Sequence, residues 1–204
     1  MNEDNAKSDK RHFFTVAITI FIFSVCDLLA ASFFQDFLKS PFFFDTIFMT
    51  AALFLFGPVA SLVEYLLFIS FTCIKLKIRE GKNDFVFLYT LSAFTIILVT
   101  WLFIRKKENL NKGVNLTFLY ILTASVFAGL SCSVVSGLLN GIAKNLFEKD
   151  WNFNKLIFAF DEYMNFPTAA IIGRIPVTIL DRVITTFLGF GLSKLYSRII
   201  YGER

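Results

Sequence analysis

The chain has 204 residues, of which 56% are apolar and 18% charged, with a mean hydropathy of +0.65 and 28 phenylalanines. That much apolar surface exceeds what a soluble core of this size can hide, which excludes a soluble globular domain and points to an integral membrane protein. The net charge of +4 and pI of about 9.0 do not indicate nucleic acid, because Lys and Arg stand in short clusters beside apolar runs, as topology determinants and membrane-surface anchors.

The first 11 residues are polar and carry Lys7, Lys10 and Arg11. The apolar run behind them is longer than a signal-peptide core and lacks an Ala-x-Ala cleavage site, so a short cytoplasmic tail leading into a retained span over 13–34 is expected. Asp27 stands well inside that span, where a carboxyl group faces the bundle interior or a polar vestibule; structural and functional roles are both open to it. Pro41 is a helix-start signal, and the apolar stretch 42–74 behind it is too long for one span. Gly57-Pro58 divides it, because Pro cannot continue the hydrogen-bond ladder and Gly permits a tight turn. A helical hairpin follows, with arms at 42–56 and 59–74. The first arm is short for a bilayer, which suits a packed, tilted or partly re-entrant helix. Asp45 reads as a charge favoured by the dipole at a helix start, whereas Glu64 lies deeper in the second arm and has no such explanation.

A hydrophilic loop over 75–84 separates the hairpin from a charge-free span at 85–104, which Arg105, Lys106 and Lys107 close. Residues 113–143 again carry no charge, and at ~1.5 Å per residue such a helix exceeds the ~30 Å hydrocarbon thickness of a bilayer. The span is set at 115–143. Its last third holds Gly129, Ser131, Ser133, Ser136, Gly137, Asn140 and Gly141 where a lipid-facing helix would carry Leu and Ile, so that end should face protein or a cavity. A wet segment follows at 144–174. Within it, 151–166 mixes aromatic and apolar residues with Lys155, Asp161 and Glu162 and reads as an interfacial amphipathic helix. The last span is 175–196, opened by Pro176 and interrupted in charge only by Asp181 and Arg182. Asp181 reads as a cap of that helix, and Arg182 as a side chain that points elsewhere and snorkels or pairs with Asp161 or Glu162.

The count is six spans in a single membrane domain over 1–204, an all-α bundle with both termini on one side. The termini and the 105–112 loop carry ten Lys and Arg and the opposite side nine. The termini are placed inside, so that the longest polar segment, 144–174, becomes the external loop. Cys26, Cys73 and Cys132 fall inside apolar runs without metal-ligand spacing and read as small hydrophobes.

Enzyme chemistry finds little footing. A membrane serine protease needs a base for its nucleophile, and the single histidine, His12, lies in the tail; the HExxH metal motif is absent. Asp27, Glu64 and Asp181 could supply a carboxylate pair, but no surrounding motif supports aspartyl chemistry. Matched halves typical of complete secondary transporters are absent too. A substrate-binding or sensory membrane module fits better, with small residues, amides and aromatics lining a pocket at one membrane face. No catalytic residue, metal ligand or cofactor is assigned.

Four stretches carry a resemblance. Phe42-Phe43-Phe44-Asp45-Thr46-Ile47 resembles an apolar-Asp-Thr-Ile helix opening, and Leu55-Phe56-Gly57-Pro58-Val59-Ala60 resembles a Leu-Leu-Gly-Pro hairpin turn. Residues 134–141, with Ser136, Gly137, Asn140 and Gly141, resemble a small-residue helix end. Ile175-Pro176 and Asp181-Arg182-Val183-Ile184-Thr185 resemble a Pro and Asp-Lys-Ile-Ile-Thr opening. In this order they resemble the second, fifth and sixth helices of the substrate-binding S components of energy-coupling factor (ECF) transporters, bacterial vitamin-uptake systems related to ABC importers. The resemblance implies a six-helix bundle in the bacterial cytoplasmic membrane, both termini cytoplasmic, that binds a vitamin or similar small molecule at an external pocket. It also implies association with a T component and two ATPase subunits. The first helix offers Cys26-x-x-x-Ala30 as a small-residue pair in place of the Ala-x-x-x-Ala pattern with which many members dock the T component.

The candidate substrate-binding residues are Asn140, Asn145, Trp151, Asp161, Glu162, Asn165 and Arg174. Asn140 has a second reading as an interhelical hydrogen bond, Trp151 as part of an aromatic belt, and the others as solvated loop residues. The alternative function is a non-transport sensory or scaffold module that recruits a partner protein through its helices.

Overall fold

The computed structural model describes residues 3–38, 44–80, 85–105, 113–147, 161 and 163–202. Regular structure among them is entirely helical. The first helix, α1 (Glu3–Ala31), runs on through a π-helical turn over Ser32–Phe37; α2 (Ile47–Phe56) and α3 (Pro58–Glu80) form a hairpin. A 3₁₀ turn over Phe85–Tyr89 leads into α4 (Thr90–Ile104), followed by α5 (Val114–Phe147) and α6 (Phe166–Tyr201). Among the described residues, five segments are long and apolar enough to cross a membrane, Phe13–Phe34, Pro58–Arg79, Val86–Ile104, Val114–Ile142 and Phe166–Ile200. Each carries exposed large apolar side chains, such as Ile22, Leu66, Phe94, Phe127 and Leu188. A multi-pass membrane protein presents such side chains to lipid.

The shorter helix is α2. Its ten residues reach about 15 Å, half the hydrocarbon thickness. The hairpin turn stands where Gly57-Pro58 puts it. Gly57 adopts φ +92°, which a side chain would strain, its N–H closes α2 on the Leu53 carbonyl at 3.1 Å, and Pro58 opens α3. Met49, Ala51 and Ala52 of α2 are fully buried. The helix is held against α6 at Gly189, where an added Cβ would lie 2.8 Å from Thr50 Cβ and 2.9 Å from the Ile47 carbonyl oxygen.

The tightest packing joins α5 to α6. A Cβ at Gly129 would meet Ile179 Cα at 2.9 Å, one at Gly137 would meet Ile171 Cα at 2.8 Å, and one at Gly141 would meet Pro167 Cγ at 3.0 Å. Steps up α5 match equal steps down α6, so the helices are antiparallel in a fixed register, with small residues on one and branched residues on the other. The glycines of the small-residue stripe in α5 therefore form a packing seam.

Several boundaries differ from the sequence expectation: α2 starts at Ile47 and not at 42, and α3 runs on to Glu80 and does not end at 74. The last helix begins at Phe166, not at 175, because the start signal is Asn165-Phe166-Pro167-Thr168: Asn165 Oδ1 accepts the Thr168 N–H at 3.2 Å and Pro167 occupies the first turn. Pro176 then falls inside α6; interior prolines are tolerated in membrane helices because neighbours re-satisfy the freed backbone groups. Since α5 continues to Phe147, the polar segment set at 144–174 narrows to 148–165. The amphipathic helix expected at 151–166 lies outside the described residues except at 161 and 163–166.

Consecutive helices alternate in direction and pack on their neighbours. The ends of α1, α3 and α5 and the starts of α4 and α6 therefore lie toward the end of the bundle opposite the termini, while the start of α2 is sunk below it, against Asp27 of α1 and Gly189 of α6.

Candidate functional site

A helix that begins inside the protein exposes its first N–H groups to an apolar medium unless something accepts them. Thr46, the residue before α2, makes no side-chain cap. Asp27 of α1 takes that place: its carboxylate accepts the N–H of Phe48 at 3.1 Å and of Met49 at 2.9 Å, and the side chain is fully buried. The positive end of the α2 dipole favours the charge. Glu64 of α3 is equally buried beside Asp27, and neither of its carboxyl oxygens has a well-formed hydrogen bond among the described residues.

The segment entering α2 is fastened from the other side by α6. Phe44 has φ +48°, uncommon for a bulky residue, and its N–H donates to Asp181 Oδ1 at 3.2 Å. Arg182 donates to Thr46 Oγ1 at 2.5 Å and to Asp181 Oδ2, and its Nη2 lies 3.6 Å from Asp45 Oδ1. This corrects the sequence expectation twice. Asp181 and Arg182 bond each other instead of diverging, and Asp181 lies mid-helix, where it holds a preceding loop instead of capping α6. Arg182 is 4% exposed, and a guanidinium at that depth is tolerated only with carboxylate and hydroxyl partners.

Above this network, at the end of the bundle opposite the termini, lies a cavity of about 450 Å³. Asp45, Thr46, Asp181 and Arg182 form its floor. Tyr65, Phe68 and Ile69 of α3, Ala93 and Ile96 of α4, and Cys132 and Ser136 of α5 form its walls. Lys75, Arg79, Tyr89 and Arg174 stand toward the helix ends. Lys75 Nζ donates to Ser32 Oγ at 2.8 Å, which ties α3 to the π-helical turn of α1. The Tyr89 hydroxyl donates to Asn140 Oδ1 at 2.6 Å.

Of the sequence candidates, Arg174 lines the cavity. Asn140 is buried behind Tyr89 and positions it, which is the interhelical reading of that residue, joining α5 to the turn before α4. Asn165 caps α6. Asp161 is not among the cavity-lining residues, and Asn145 stands near the end of α5, beyond the lining residues Cys132 and Ser136. Trp151 and Glu162 lie outside the described residues. Cys26 and Ala30 are half-buried on α1, and all three cysteines are free thiols.

Sequence reasoning missed Lys75, Arg79, Tyr65, Tyr89 and Ser92. The first two were assigned to a hydrophilic loop although four-residue spacing puts them on one face of a continuing helix. Tyr89 and Ser92 sit in an apolar run whose cavity-facing side no periodicity marks.

No protein-family model, no curated protein and no solved structure matches the chain.

Proposed function

We propose that the protein is a membrane-embedded substrate-binding subunit of the S-component type, which captures a vitamin or similar small molecule for an ECF importer. The observation that carries this reading is the cavity itself. It is enclosed by five helices, is apolar along its walls and polar at its floor, and its volume falls in the roughly 300–1,000 Å³ range of small-molecule sites. With both termini in the bacterial cytoplasm, the cavity faces outward, where an uptake system meets its substrate. The four resembling stretches support the same assignment, and two of them, at Asp45-Thr46 and Asp181-Arg182, converge on the cavity floor. Delivery then requires a T component and two ATPase subunits, with the Cys26 and Ala30 face of α1 as the docking candidate.

Purification of the chain from membranes, native mass spectrometry for a copurified small molecule and thermal-shift screening against a vitamin panel test the binding role. Affinity capture tests the transporter role, for which recovery of a T component and ATPases is the expected result. Absence of any ligand, together with capture of an unrelated partner, would favour a sensory or scaffold module instead.

A further inference from the structure

We infer that Asp27 of α1 and Glu64 of α3 form a proton-binding site: the pair holds one proton, carried by Glu64 and donated to the Asp27 carboxylate. The site lies behind the cavity floor, at the start of α2, and does not depend on what the cavity binds.

Donor supply is the first ground. Both side chains are fully buried, and neither carboxyl oxygen of Glu64 has a hydrogen-bond partner among the described residues. The donors around it are committed elsewhere. The first N–H groups of α2, from Phe48 and Met49, go to Asp27. Ser24 Oγ donates to the carbonyls of Ile20 at 2.9 Å and Glu64 at 3.0 Å, and Ser61 Oγ to that of Met49 at 2.8 Å. A buried carboxylate without donors bears its full desolvation penalty. A proton removes that penalty by turning one oxygen of Glu64 into a donor toward Asp27 beside it.

Charge is the second ground. Two carboxyl groups sharing a low-dielectric site cannot both ionise unless a cation joins them. The surrounding elements bring Asp27 with Cys26 next to it on α1, Asp45 in the segment entering α2, Tyr65 on α3 and Tyr89 in the 3₁₀ turn, while α2 and α4 contain no titratable residue. Arg182 of α6 is engaged at Thr46, Asp181 and Asp45. Lys75 follows Glu64 by 11 residues on α3, about 16 Å along the axis, and Arg11 precedes Asp27 by 16 on α1, about 24 Å. Asp27 keeps the negative charge because two N–H groups and the positive end of the α2 dipole favour it there. The third ground is room. The Glu64 oxygens have no surface open to water, and no group of three or more His, Cys, Asp or Glu among the described residues is placed to hold a metal ion. A proton needs no such space.

The full chain, purified in an ester-free detergent, is examined by infrared spectroscopy for the C=O stretch of a protonated carboxyl group, and by thermal scans from neutral to alkaline pH. The band is expected in the wild-type protein at neutral pH and lost in Glu64→Gln, whose amide donates to Asp27 in place of the acid. The folded chain holds a proton that the unfolded chain, with Glu64 in water, releases above about pH 4.3. Stability therefore falls as pH rises until the site empties. Between neutral and alkaline pH the wild-type Tm should drop by roughly 3 °C or more beyond the drop of Glu64→Gln. A band absent from the wild type, a band that persists in Glu64→Gln, or parallel pH profiles of the two proteins overturns the proton site. So does a Tm rise with sodium chloride over choline chloride that Glu64→Gln abolishes, since a metal ion would then join the pair. If Glu64→Gln fails to fold, the wild type decides: bleaching of its band as alkaline pH lowers Tm supports the site, and a band unchanged across that fall overturns it.

Discussion

The carboxylate of Asp27 accepts the backbone N–H of Met49 at 2.9 Å, so a side chain from near the end of α1 closes the first turn of α2. The start of α2 lies within the protein because of this bond and its companion to Phe48. Asp27→Leu leaves two buried donors without acceptors and should destabilise the protein by roughly 2–4 kcal/mol. Asp27→Asn keeps one acceptor oxygen and should cost about 1 kcal/mol. Thermal midpoints of the detergent-purified variants check the order; equal midpoints for both variants would remove the capping role.

How much of this was readable from sequence follows from which interactions are local. The hairpin turn depends on Gly57 and Pro58 alone, and the long helices on uninterrupted apolar runs, so both could be read. Asp27 was flagged by depth, but its purpose depends on Met49, across a helix pair that only the fold brings together. Asp181 and Arg182 looked divergent because neighbouring residues on an ideal helix point apart; the loop at Asp45 and Thr46 draws both side chains to one place. The glycines of α5 were recognised as unsuited to lipid, yet sequence could not decide between a cavity and a packing seam. Ile171 and Ile179 on α6 decide it.

Gly137 supplies a direct test of that seam. A Cβ there would stand 2.5 Å from Ile171 Cγ1 and 2.8 Å from Ile171 Cα and N, so the α6 backbone must shift. Gly137→Ala should destabilise by about 1–3 kcal/mol. Gly191 on the same bundle has no atom within 4 Å of its added Cβ, and Gly191→Ala should be neutral or stabilising by up to ~1 kcal/mol. Thermal scans of the two variants should diverge in sign or clearly in size.

Tyr89 and Asn140 should behave as a coupled pair. The hydroxyl donates to Asn140 Oδ1 at 2.6 Å, and Asn140 Nδ2 has no partner among the described residues. Each single variant, Tyr89→Phe or Asn140→Leu, should lower stability by roughly 1 kcal/mol, and the double variant should lose less than their sum by about 0.5–1.5 kcal/mol. Strict additivity in a double-mutant cycle would show that the bond contributes nothing. Because Tyr89 lines the cavity and Asn140 stands behind it, Asn140→Leu should weaken ligand binding through the mispositioned ring.

Arg182 tests the floor of the cavity. Removing the guanidinium by Arg182→Met leaves the Asp181 carboxylate, 1% exposed, and the partly exposed Asp45 carboxylate without their cation, at a cost of about 3–5 kcal/mol. Arg182→Lys should fall between, since one ammonium lacks the planar fork that reaches Thr46 and Asp181 together. The second substitution decides the mechanism. Asp181→Asn removes one of the orphaned charges while its amide oxygen still accepts the Phe44 N–H, so the Asp181→Asn, Arg182→Met pair should be more stable than Arg182→Met alone. If instead the pair is the less stable of the two, the loss comes from missing side-chain packing and not from the uncompensated carboxylate, and Arg182 holds the loop at Asp45 and Thr46 by shape more than by charge.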